Sequence, residues 1–217
     1  MKNNGLKKSE PEIEVVFDCS VEDEINRVKY LCTKYQWYKN NGYRPTYPKS
    51  IAKKFESGEK ITEADIEESV SDEFDSGTGA KQIALAEEEW NKIKERFFDS
   101  LKTLGLPVQN KYFVSITKYG NGGSYGVPNN IQLNFNQTRS LSFVIAHEIV
   151  HLTIEHLIKE YGIDHWIKER LVDLIMNRFF PENPKLQRDP ANSEKISELF
   201  DNYFPDIRKI IEEVSKL

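Results

Sequence analysis

Apolar residues along this chain recur at two spacings, and each spacing predicts a different element. Residues 12–18 (EIEVVFD) alternate weakly, as a strand does. From Ser20 the spacing changes: Ile25, Val28, Leu31 and Cys32 recur at helical intervals, and Ser20 with Asp23 three residues on is a helix-start signal. Gly and Pro make residues 40–48 a loop. A short helix then ends at Gly58, and another opens on the pair Thr62 and Asp65. Residues 75–80 (DSGTGA) read as a break. A long helix is expected over 81–104, with Ile83, Ala86, Trp90, Ile93, Phe97, Leu101 and Leu104 on one stripe.

Residues 111–119 (KYFVSITKY) have the β-branched and aromatic content of a strand. Residues 131–136 (IQLNFN) alternate strictly. The glycine-rich stretch 120–130 joins them, so the two strands are expected to pair as an antiparallel hairpin. Three helices follow: 139–161, apolar almost all round; 165–180, after the candidate cap Asp164; and 193–216, interrupted at Pro205. The order of helices, a small antiparallel sheet and more helices predicts an α+β fold. Residues 1–80 are expected to form a helical N-terminal extension, and 81–217 a compact core.

The apolar pattern has one anomaly. In the stretch 142–156 (SFVIAHEIVHLTIEH), His147, Glu148 and His151 interrupt an otherwise buried helix. Burying even one uncharged polar group without a partner costs roughly 2–7 kcal/mol, so the three need a reason to be there. His147 and His151 lie about 40° apart around a helix and about 6 Å along it. Both imidazoles can therefore address one ion, and the pattern H-E-x-x-H is that of a zinc site. Glu148, about 100° away, suits a general base acting on a water near that ion.

A hydrolytic zinc site needs a third protein ligand and an open position. His156 faces away, about 180° from His147. The next helix offers Glu169 and Asp173, one turn apart on a helix that also looks buried. Glu169 as ligand and Asp173 as acceptor for a ligand imidazole N–H give those acids a purpose. His165, one turn before Glu169, is a candidate catalytic donor to a developing oxyanion, and Tyr125 in the glycine-rich stretch can reach over the site. Tyr161, in the turn between the two helices, is a third candidate.

The motif H-E-x-x-H at 147–151, a short turn and E-x-x-x-D at 169–173 together resemble the gluzincin, thermolysin-like metallopeptidases. The resemblance spans roughly 81–180 and departs at Lys168, where many of that family carry Asn. It implies a zinc metallopeptidase: His147, His151 and Glu169 hold Zn2+, Glu148 is the general base toward a zinc-bound water, and Asp173 supports a ligand histidine. It also implies that the strand 131–136, including Asn134, binds an extended peptide by β-augmentation. Other intracellular H-E-x-x-H peptidases share these features, so the subfamily stays open.

Composition narrows the alternatives. The net charge is -5, with lysines and arginines dispersed among acids, so no basic stripe for nucleic acid is expected. The two cysteines, Cys19 and Cys32, form no C-x-x-C pair. No apolar run is free enough of charge to suggest a membrane span, and no apolar stretch follows the basic start. A cytoplasmic protein acting on a peptide or protein is the expectation, with oligomeric state open. The alternative is a catalytically silent, zinc-containing interaction module.

Overall fold

The computed structural model describes residues 13–136, 140–183 and 190–217. Among these, the chain forms β1 (Glu14–Asp18), α1 (Val21–Thr33), α2 (Tyr35–Asn40), α3 (Lys49–Ser57), α4 (Glu63–Glu73) and α5 (Ser76–Lys102). Then come β2 (Lys111–Thr117), β3 (Gly123–Gly126), β4 (Asn130–Asn134), α6 (Leu141–Glu160), α7 (His165–Phe179), α8 (Ser193–Tyr203) and α9 (Ile207–Val214). The fold is α+β and mostly helical, with a four-stranded sheet packed on the buried helix α6.

Most helix boundaries follow local chemistry. The Ser20 hydroxyl accepts from Asp23 N at 3.1 Å, and Thr62 and Asp65 form a complete capping box. Each such cap stabilises a helix by about 1 kcal/mol. Gly58 ends α3 in the left-handed conformation. Asp164 caps α7 by accepting from Trp166 N at 2.8 Å. Asp206 restarts the chain as α9 just past Pro205. The expected first residue of the helix predicted over 139–161, Arg139, lies outside the described residues, as do 1–12.

One helix starts earlier than its sequence suggests. Residues 76–80 are the first turn of α5 and not a break, because the Asp75 carboxylate accepts from Gly77 N (2.9 Å) and Thr78 N (3.3 Å). Gly79 is then required by packing: a Cβ there would sit 2.5 Å from Cys19 Sγ.

The sheet is mixed, and the expected hairpin of 111–119 with 131–136 does not form. The strand order is β1-β2-β4-β3. β2 pairs in parallel with β1 and with β4, whereas β3 pairs antiparallel with β4. Alternation in 131–136 identifies a strand but not its direction. The glycine-rich stretch hides the extra strand β3, so the hairpin is β3–β4 and β4 lies inside the sheet.

The main core gathers around α6, with Ile145, Ala146, Ile149, Val150, Ile154 and Leu157 fully buried. α6 is the one described helix long and apolar enough to cross a membrane, and most of it is buried inside the fold. A smaller core joins the N-terminal helices through Val28, Leu31, Ile51, Ile66, Val70 and Tyr119. β1 is itself a strand of the sheet, so residues 14–18 pack with the main core.

Two charged residues of α1 are buried. Glu24 Oε1 accepts from Lys118 N at 2.5 Å, while Oε2 is buried without a partner among the described residues. Burial pushes this carboxyl up to about 7, against a partial opposing effect of the Lys118 and Tyr119 backbone amides. Between about pH 4.5 and 7 the folded chain therefore holds more protons at Glu24 than the unfolded chain, and stability falls as pH rises through that window. Replacing Glu24 by Gln keeps the Lys118 bond and removes the charge. Thermal unfolding at pH 8 is expected to show Glu24→Gln more stable by on the order of 1–3 kcal/mol, with a flatter profile from pH 5 to 8. A variant less stable than wild type at pH 8 would contradict the assignment.

Candidate metal centre

The expected ligands converge. On α6, His147 Nε2 and His151 Nε2 face each other at 3.0 Å. From α7, Glu169 Oε2 lies 3.4 Å from His147 Nε2 and 3.3 Å from His151 Nε2. One ligand atom from each residue lies within 4.8 Å of the others, and all three side chains are buried. Four residues of helix bring the two imidazoles to one face, and the packing of α7 on α6 brings the carboxylate to that face.

The electrostatics suit a cation. Burial pushes the His151 imidazole down to about 4, so it is neutral with lone pairs available. Burial would push the Glu169 carboxyl up, but His151 and His147 beside it hold it well below the ordinary carboxylate range. His147 Nε2 and His151 Nε2 share a hydrogen bond at 3.0 Å, and His151 Nδ1 is buried with no hydrogen-bond partner among the described residues. Two imidazoles and one carboxylate form a donor set that fits zinc.

The surrounding residues hold this trio in place. Asp173, one turn beyond Glu169 and 3% exposed, brings Oδ1 to 3.8 Å from His147 Nδ1, the ring nitrogen that faces away from the trio. The Tyr125 ring of β3 stacks on His151, centroids 4.9 Å apart and 12° from parallel. Its hydroxyl donates to Glu155 Oε2 at 2.6 Å and accepts from Lys168 Nζ at 3.0 Å. Tyr125 is thus fastened against the site as part of a strand. Lys168 Nζ is also 3.7 Å from Glu169 Oε1.

Glu148 and the trio line one cleft of about 750 Å³. Burial pushes the Glu148 carboxyl up to about 7, with His147 opposing. Gly123 of β3 lies against it: a Cβ there would run into Glu148 Oε1 and Val144 Cγ1. His165 also lines the cleft, with Nδ1 3.7 Å from Glu169 Oε1 and Nε2 3.3 Å from the Tyr43 hydroxyl. Asn134 lines it too, but its side chain bridges a turn, donating to Gly120 O at 2.8 Å and accepting from Asn136 N at 2.7 Å. His156 is exposed on the outer side of α6, and Tyr161 caps the end of that helix away from the cleft.

The sequence reading omits three residues that shape this cleft. Tyr43 comes from the loop after α2, Gly123 from the hidden strand, and Arg27 from α1. The Arg27 guanidinium, 1% exposed, donates through one Nη to both Ser124 Oγ (2.8 Å) and Gln132 Oε1 (2.9 Å), pinning β3 to β4. A signal for Arg27 exists: Glu24, Arg27, Val28 and Leu31 share one helical face, so two of its members are charged residues within an apolar stripe. Tyr43 sits in a loop without periodicity and offers no comparable signal.

The chain matches no protein-family model, curated protein or solved structure. The site therefore stands on its own geometry.

Elemental analysis of purified chain, after zinc is supplied, is expected to give about one zinc per chain. Glu169→Ala should lose it, and equal zinc in both proteins would move the third ligand elsewhere. Competition with a chromophoric chelator is expected to show Asp173→Ala binding zinc roughly 10–100-fold more weakly. An unchanged affinity would separate Asp173 from the metal centre.

Proposed function

We propose that this chain is a zinc-dependent metallopeptidase of the gluzincin type, with His147, His151 and Glu169 as the metal ligands. The observation that carries the reading is the pairing of this buried trio with a further buried acid, Glu148, lining the same cleft. Zinc held there supplies Lewis-acid polarisation of a carbonyl and acidifies water. A metal that served structure alone would need neither the cleft nor the acid.

Each residue then has a task. Glu148, held by burial near the pKa a base needs at neutral pH, accepts a proton from the attacking water and delivers it to the leaving amine nitrogen. Asp173 orients the His147 ring. Tyr125 packs the flat face of His151 and excludes water from it.

A peptide or protein substrate is supported by β3. This strand is the sheet edge beside the cleft, the place expected of residues 131–136. Asn134 N donates to Gly122 O at 2.8 Å, which fixes the alternation along the pair. The backbone groups of Gly123 and Tyr125 therefore face away from β4. An extended peptide can add to that edge with its carbonyl groups passing Glu148.

The decisive variant is Glu148→Gln, tested on a mixed peptide library with products read by mass spectrometry. Zinc content should match wild type, while cleavage falls by about 10²–10⁴-fold. A Glu148→Gln protein that cleaves as fast as wild type would remove Glu148 from the chemistry.

A further inference from the structure

The loop after α2 places a phenol hydroxyl at the rim of the metal centre. Tyr43 reaches the cleft from a part of the chain distant from both ligand helices, and its position is heavily determined. The backbone amide of Tyr43 donates to Tyr38 O at 2.9 Å. Three residues on, Thr46 and Gly120 exchange backbone hydrogen bonds at 2.9 and 3.0 Å, tying the loop to the glycine-rich stretch before β3. The Tyr43 ring is held between two tryptophans. Trp37 of α2 stacks at 5.5 Å and 15°, and Trp166 of α7 at 6.1 Å and 10°.

The hydroxyl at the end of this clamped ring lies 3.3 Å from His165 Nε2. His165 Nδ1 in turn faces Glu169 Oε1 at 3.7 Å. Both nitrogens of His165 are therefore turned toward protein groups, and the imidazole and the Tyr43 phenol line the cleft side by side. In the tautomer that carries its proton on Nε2, His165 donates to the Tyr43 oxygen and leaves the phenol proton free to turn toward a substrate. A Tyr O–H is acidic enough to be a strong donor and neutral at physiological pH, which suits an oxygen that gains negative charge during reaction.

We propose that Tyr43 is a catalytic residue whose hydroxyl donates a hydrogen bond to the substrate carbonyl oxygen as charge builds on it, with His165 as the positioning residue behind it. The assignment rests on the hydrolase reading above. It gives the N-terminal helical segment a direct part in the reaction, and it moves the donor role from His165 to Tyr43.

The test is calorimetric titration of acetohydroxamate, a small zinc chelator with an anionic oxygen, into zinc-loaded full-length chain. Wild type, Tyr43→Phe and His165→Ala are compared, each with zinc content and circular dichroism measured. Phe keeps the ring and both stacking partners, so Tyr43→Phe should retain zinc and fold. Its acetohydroxamate affinity is expected to fall by about 10-fold or more, as loss of a hydrogen bond to a charged oxygen requires. Unchanged affinity in Tyr43→Phe, with wild type binding, overturns the assignment and leaves the hydrolase reading intact. Loss in His165→Ala alone hands the donor role to the imidazole. Loss of zinc or fold in Tyr43→Phe makes the hydroxyl structural and also overturns it. No binding to zinc-loaded wild type removes the open metal position and therefore both readings.

Discussion

The structure depends on one carboxylate lying between two imidazoles in a medium that solvates none of them. Glu169 stays ionised although only 7% of it is exposed, because His147 and His151 are within 3.4 Å. Without such partners a buried carboxylate neutralises itself by taking up a proton. The constraint works outward from there. The two histidines must share a face of α6, so α6 runs through the interior, and most of its other buried positions are apolar. α7 must pack on α6 at the height that brings Glu169 to that face. The apolar all-round character of α6 and the buried acids of α7 are two consequences of the same requirement.

The N-terminal helices are bound into this arrangement by charge as well as by apolar contact. Arg27 stands behind β3 and fastens it to β4 through Ser124 and Gln132, while its Nε has no partner among the described residues. A buried guanidinium in that position is costly, and its pKa is pulled down by burial. Its positive charge nevertheless opposes the negative charge of Glu148 across the strand. The edge strand is thus held between a cation on one side and an acid on the other. Tyr43 reaches the opposite rim from the same segment. The cleft consequently has walls from three parts of the chain, α1 with the loop after α2, β3, and the α6–α7 pair.

What could be read from sequence followed from how local the cause was. Caps at Ser20, Thr62 and Asp164 involve neighbours within three residues, so they are visible in the local sequence and form as expected. The ligand trio was legible for a different reason: polar residues in an apolar helix announce an unmet need, and helical spacing then fixes their common face. Strand direction was not legible, because alternation is the same for a parallel and an antiparallel partner. β3 was hidden by composition. Two of its four residues are glycine, and the usual strand signal comes from side chains that glycine lacks. The first turn of α5 was missed by the same bias, since Asp75 overrides two glycines by capping. Tyr43 depends on long-range contacts with α7, which no local pattern encodes.

The glycines that concealed β3 also explain why the cleft can exist. Under the proposed function, a strand edge serves a peptide only if it comes close enough for that peptide to reach Glu148. At Gly123 the backbone approaches Glu148 and Val144 until no Cβ can be accommodated. Any other residue would force the strand outward or displace the Glu148 side chain. Tyr125, two residues later on the same face, has the opposite character: a large ring fills the space over His151 and anchors through Glu155 and Lys168. Glycine lets the strand near the acid, and tyrosine stops it from collapsing onto the ligand helix. The alternation of strand residues, small at 123 and large at 125, therefore sets the spacing between the sheet edge and the metal centre. That spacing is what leaves a cleft against a buried polar trio.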